Sequence, residues 1–140
     1  MTDKVVLVNP NQLKPAVAPI ALDYLADALE ISGYQVDLLD LCFSLDWQRD
    51  VDSYFAHNSV VAVGISLRNV DDSSMANQDF FFPRFKKVAD HIGQRTSAPI
   101  ILGGSAFSIM PEQTLNYFGL SLGIVGDGEL ALPLLIDKLV

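Results

Sequence analysis

One run constrains this chain more than any other: Ser59-Val60-Val61-Ala62-Val63-Gly64-Ile65-Ser66. It is too short for a core helix, rich in β-branched residues and without polar alternation. Such a run reads as a strand covered on both faces, the signature of a parallel sheet. Lys4-Val5-Val6-Leu7-Val8-Asn9, stopped by Pro10, has the same character. Residues 35–40, 98–102 (ended by Gly103-Gly104) and 121–125 supply three more strand-like runs. Apolar residues at helical spacing lie between them. Ile20, Leu22, Leu25, Ala26, Leu29 and Ile31 follow Pro19, and Gly33 is placed to end their helix with a positive φ. Phe81, Phe85, Val88, Ala89 and Ile92 predict a helix over 80–94, Pro111 opens another to about Phe118, and a last helix follows Gly126-Asp127-Gly128. Residues 42–58 are ambiguous, with a short helix expected over 50–56. Strands alternating with helices make βαβ units with right-handed crossovers. The expectation is an α/β, flavodoxin-like (Rossmann-like) three-layer sandwich, its five parallel strands in the order 2-1-3-4-5.

Length and charge narrow the function. The 140 residues suit one domain, 1–140, that buries a core without disulfides or a structural metal. Half the residues are hydrophobic, which excludes long disorder. Seventeen acidic against nine basic residues leave a net charge of −8, with no basic surplus for a nucleic-acid backbone. Cys42 is the single cysteine, so an intrachain disulfide and a thiolate zinc site are both out. The apolar start, Val5 to Val8, is too short for a signal peptide, and no run approaches the ~20 residues of a membrane span. A cytoplasmic domain is expected.

In an open α/β sheet, ligands bind beyond the carboxyl ends of the strands, near the point where strand order reverses. Those ends carry Asn9-Pro10, Ser66-Leu67-Arg68, Gly103-Gly104-Ser105 and Gly126-Asp127-Gly128-Glu129. Gly103-Gly104 either lets a bulky ligand lie against the backbone or simply makes a tight turn. Ser66 suits a heteroaromatic nitrogen or a phosphate, or bonds its own loop. Arg68 holds an anion or pairs with Asp71 or Asp72. Gly126-Asp127-Gly128-Glu129-Leu130-Ala131 matches G-x-G-x-x-A in form but follows the fifth strand, not the first, and sets two carboxylates where a pyrophosphate would bind, so it is no dinucleotide fingerprint. Its carboxylates instead favour the N-terminus of the last helix. The loop after the first strand has no glycine, hence no P-loop. His57, His91 and Cys42 read as surface or packing residues, and no catalytic set is found. A binding module is expected rather than a self-contained catalyst.

In this order and at these strand ends, the motifs Lys4-Val5-Val6-Leu7-Val8-Asn9-Pro10, Gly64-Ile65-Ser66-Leu67-Arg68, Ile101-Leu102-Gly103-Gly104-Ser105 and Ile124-Val125-Gly126-Asp127-Gly128-Glu129 resemble a known family. The stretch from Leu22 to Val36 adds to the match. The family is the N-terminal cobalamin (B12)-binding domain of B12-dependent radical SAM proteins, which include class B methylases and the anaerobic magnesium-protoporphyrin monomethyl ester cyclase type. The resemblance implies a corrinoid over the strand ends with its dimethylbenzimidazole tail running down beside the sheet. It puts Ser66 against the tail, lets Gly103 and Gly104 make room for it, matches residues 126–129 to the family's GEGE turn with Asp127 for Glu, and faces Asn9 and Pro10 to the corrin. Leu67, Arg68 and Ser105 complete the motifs.

Two departures matter. Related cobalamin domains carry D-x-H-x-x-G after the first strand, its His ligating cobalt; here the loop is Asn9-Pro10-Asn11-Gln12-Leu13-Lys14, and Arg68 takes the third place of the associated S-x-L signature. The resemblance therefore implies cobalamin bound base-off with no protein ligand to cobalt, and axial ligation is a lever on its chemistry. One cysteine cannot hold an iron–sulfur cluster. S-adenosylmethionine and a 4Fe-4S cluster would belong to a C-terminal radical SAM domain, the expected partner, and this chain is expected to be the N-terminal part of that longer protein. The parent reaction would be methyl transfer or a radical rearrangement or cyclisation. Residues 69–82, with Met75 and three phenylalanines, either pack into the next helix or form an apolar lid. Two other classes stand beside this reading: a domain binding another flat cofactor or a nucleotide such as FMN, and a cofactor-free interaction module. A filled groove between the third and fourth strand ends would favour the last; an open one beside Gly103-Gly104 favours cobalamin.

Overall fold

The structure, a computed structural model, describes residues 3–12, 19–68 and 82–140. Five strands, β1 (Lys4–Asn9), β2 (Gln35–Asp40), β3 (Ala62–Ser66), β4 (Ile100–Gly103) and β5 (Leu122–Gly123), form one sheet in the order β2-β1-β3-β4-β5. Every neighbouring pair is parallel. This is the flavodoxin-like order expected from the alternation of strand and helix patterns.

Helices cover both faces. α1 (Ile20–Ile31) and α6 (Ala131–Leu139) pack on one, where Val5, Leu7, Ala62 and Ile101 meet Leu22, Leu29, Leu132 and Ile136. α2 (Trp47–His57), α3 (Phe82–Arg95), α4 (Ser105–Ile109) and α5 (Pro111–Phe118) supply the other, around Val6, Val8, Val63, Ile65 and Leu102. Alternate residues of each strand serve alternate faces, so the continuous apolar runs fill two cores at once. Both central strands are fully buried along most of their length.

The local signals act as their chemistry requires. Pro19 precedes α1, and Gly33 at φ +98° ends it. α2 is longer than the expected 50–56 because the Asp46 carboxylate accepts the Arg49 N–H at 3.1 Å and starts the helix at Trp47. α4 was not expected at all. β5 is shorter than the expected 121–125, pairing with β4 through Leu122 and Gly123, after which the Ile124 N–H still reaches the Leu102 carbonyl at 2.9 Å. Among the described residues no helix is long and apolar enough to cross a membrane. Of the stretch 69–82, all but Phe82 lies outside the described residues, as do Leu13 and Lys14. Phe82 is buried at the start of α3, against Phe85, Tyr117 and Phe118.

Candidate functional site

Strand order reverses between β1 and β3. Register sets Leu7 beside Gly64 and Gly64 beside Ile101. Two residues on, toward the carboxyl ends, Ser66 lies beside Gly103. Both rows face α1 and α6. The Leu7 side chain covers Gly64, its Cδ2 2.8 Å from where a Cβ would lie, whereas Gly103 leaves its side-chain space open, and a groove of about 330 Å³ runs over this face. Leu7, Ile101 and Ile124 line it from the sheet, Ala21, Leu22 and Leu25 from α1, and Leu132 from α6. Ser66, Ser105, Ser108 and the turn from Gly126 to Glu129 line it toward the strand ends.

The two adjacent glycines do different work. A Cβ on Gly103 would meet nothing closer than the Ile124 carbonyl oxygen at 3.9 Å, so its missing side chain leaves the groove open and the backbone would tolerate one. A Cβ on Gly104 would fall 2.5 Å from the Leu67 carbonyl oxygen, and its φ of +98° already belongs to glycine. Gly104 lets the chain cross over Leu67, whose N–H donates to the Gly103 carbonyl at 2.8 Å and whose carbonyl accepts the Ala106 N–H at 2.9 Å. That crossing starts α4. α4 in turn buries the Phe107 ring so closely on Gly123 that a Cβ there would lie 2.2 Å from Cζ. Ser108 Oγ then accepts the Gly126 N–H at 2.9 Å, holding the turn across the groove mouth.

The first loop is tied to the second. Asn9, buried at the end of β1, donates from Nδ2 to Asp40 Oδ1 at 3.0 Å and accepts the Asn11 N–H at 3.3 Å. Asp40 also accepts the Cys42 N–H at 3.0 Å, and Gln12 reaches the carbonyls of Leu41 and Ser44. Pro10 is buried beside them.

Eight of the twelve residues singled out from the sequence line the groove: Ser66, Gly103, Gly104, Ser105 and the four of the turn 126–129. Asn9 and Pro10 sit at the neighbouring strand end. Leu67 is fully buried in the opposite core and Arg68 is exposed. Sequence reasoning missed Gly64, Ser108, and the α1 wall of Leu22 and Leu25. A glycine inside an otherwise β-branched run was a signal for the first of these.

Charged groups elsewhere serve the scaffold. Asp52 accepts from His91 and from Arg95, and these partners hold its carboxyl below the usual carboxylate range. His91 thus has a partner between α2 and α3, and Trp47 meets its ring edge-on. Burial, with Asp37 as hydrogen-bond acceptor, pushes the Tyr54 hydroxyl up; burial and Asp137 push Tyr34 up to about 12. Cys42 is buried. Among the described residues no cluster of three His, Cys, Asp or Glu is placed to hold a metal.

A groove at the strand-order reversal, apolar within and polar at its mouth, is the frame into which known proteins can be set. The sequence model of the B12 binding domain matches residues 8–136. The chain belongs to that family. This B12 binding domain is 42% identical over 126 residues to a tryptophan 2-C-methyltransferase of Streptomyces laurentii, a match over 89% of the chain and 21% of that protein. It superposes with TM-score 0.95 and 39% identity on the radical S-adenosylmethionine methyltransferase TsrM of Kitasatospora setae, solved with cobalamin and a 4Fe-4S cluster bound, over 99% of this chain and 25% of that one. The cobalamin-dependent radical enzyme OxsB shares the fold, at TM-score 0.72 and 22% identity over 99% of this chain and 19% of that one. The domain therefore spans about a quarter or less of the length of these relatives.

Proposed function

We propose that this chain is the cobalamin-holding part of a longer radical SAM methyltransferase, and that it binds the corrinoid with its tail in the groove between the sheet and α1. The observation that carries the reading is the open groove beside Gly103, where a Cβ would fill space that the fold does not need filled. A cofactor-free module would have no reason to keep that space. Cobalamin, when bound, supplies a cobalt centre that takes up and passes on a methyl group.

The chain's own residues would bind and orient. Leu22, Leu25, Ile101 and Leu132 exclude water from the tail, and Ser66 offers a hydroxyl to a heteroaromatic nitrogen. Ser105 and the turn from Gly126 to Glu129 border the tail where it enters. Asn9, Pro10, Leu67 and Arg68 stand at the strand ends over which the corrin would lie. The described histidines are on α2 and α3, against the opposite face, and the first loop carries none. The reading is therefore base-off binding with no histidine from this chain on cobalt. The relatives' names favour methyl transfer over rearrangement or cyclisation, and an indole as the parent's substrate class.

An FMN-type site is disfavoured by the same groove. The turn at its mouth brings Asp127 and Glu129, where a phosphate would want amides or cations. Equilibrium dialysis against hydroxocobalamin and, separately, FMN tests both readings. Retention of cobalamin but not FMN, lost in Gly103→Val, is expected; retention of FMN, or cobalamin retained equally by the variant, would overturn the assignment.

A further inference from the structure

Resting on the cobalamin reading, we infer that the groove selects corrinoids by the base that ends their tail, taking a methylated benzimidazole and discriminating against a purine. Leu7, Leu22, Leu25, Ile101, Ile124 and Leu132 reach the groove with side chains made only of carbon and hydrogen. Of the strand groups beside them, the Ile124 N–H is committed to the Leu102 carbonyl at 2.9 Å and the Leu67 N–H to that of Gly103 at 2.8 Å, while the Ile124 carbonyl oxygen lies 3.9 Å from where a Gly103 Cβ would stand. Hydroxyls and carboxylates stand toward the strand ends, at Ser66, Ser105, Ser108, Asp127 and Glu129, and of these Ser108 already holds the Gly126 N–H.

A dimethylbenzimidazole presents its methyl-bearing edge to such a wall and loses nothing. An adenine presents an exocyclic amine and further ring nitrogens to the same wall, whose side chains offer them no hydrogen-bond partner in place of the water they lose. One unsatisfied buried donor is worth about ten-fold or more in affinity. The gap has a local determinant. Leu25, half-buried on the α1 wall, is the position from which an amide side chain could meet the amine without opening the sheet core.

The test is a binding titration, followed by quenching of Trp47 fluorescence or by calorimetry, of the chain with cobalamin and with its adenine-based counterpart. Adenine coordinates cobalt more weakly than benzimidazole, which eases base-off binding, so any preference for cobalamin arises in the groove. The adenine cobamide is expected to bind at least about ten-fold more weakly, and Leu25→Gln to narrow that gap while circular dichroism stays unchanged. Affinities within about two-fold of each other would overturn the selectivity and leave the cobalamin assignment standing. A gap that persists unchanged in a folded Leu25→Gln would overturn the role given to this wall. Failure of both cobamides to bind would overturn the cobalamin assignment itself.

Discussion

The backbone of Gly104 crosses Leu67 so closely that a Cβ on Gly104 would lie 2.5 Å from the Leu67 carbonyl oxygen. Its neighbour Gly103 has open space where its side chain would be. The fold requires one glycine, and the proposed function gives the other to the ligand. Gly104→Ala is expected to destabilise the chain by about 1–3 kcal/mol, from a strained φ and a backbone clash. Gly103→Val is expected to stay within about 1 kcal/mol of wild type yet to bind cobalamin at least about ten-fold more weakly. Urea denaturation beside a binding titration separates the two effects. Equal destabilisation by both substitutions would contradict the division.

Phe107 is fully buried and its ring covers Gly123. It fastens α4 to β5, which has little ladder of its own. Phe107→Ala is expected to cost about 3–5 kcal/mol, the range for a buried aromatic cavity. Chemical denaturation measures it, and a cost below about 1 kcal/mol would mean that α4 is held by something else.

Ser108 holds the Gly126 N–H from across the groove mouth. The bond is solvent-exposed, so Ser108→Ala is expected to lower stability by no more than about 1 kcal/mol. The looser turn should weaken corrinoid binding several-fold, and Ser108→Thr, which keeps the hydroxyl, should restore it. Calorimetric titration of the three proteins decides this.

Asp52 links α2 to α3 through His91 and Arg95. Its carboxyl titrates lower when folded than when unfolded. The folded state therefore binds fewer protons, and the contribution is present above the unfolded value of about 4. It is lost as the pH falls through the lower folded value. Asp52→Asn should reduce Tm near neutral pH, and the difference from wild type should close in acid. A difference that stays constant down to about pH 3 would show that Asp52 acts through packing rather than charge.

The central scaffold was legible because its signals are local. β1, β2 and α1 sit where β-branched runs, Pro10, Pro19 and Gly33 put them. The start of α2 was missed although Asp46 is an ordinary N-cap, since the apolar pattern of residues 42–58 is weak. α4 is five residues long and depends on Leu67 beneath it and Gly123 beside it, contacts that no local pattern encodes. The groove divides in the same way. Its rim lies on strand ends, where topology alone points, and eight of the twelve residues named from the sequence line it. Its inner walls depend on register: Gly64 matters because Leu7 and Ile101 flank it, and Leu22 and Leu25 because α1 lies over that gap.

Whether the groove takes the corrinoid tail is read most directly from the visible spectrum of methylcobalamin titrated with the purified chain. Saturable binding is expected, one corrinoid per chain, with the cobalamin band moving from its base-on to its base-off position as the tail leaves cobalt for the groove. A bound cofactor that keeps the base-on spectrum would contradict the placement of the tail, and a spectrum unchanged at every ratio, with no cobalamin retained on dialysis, would contradict the proposed function.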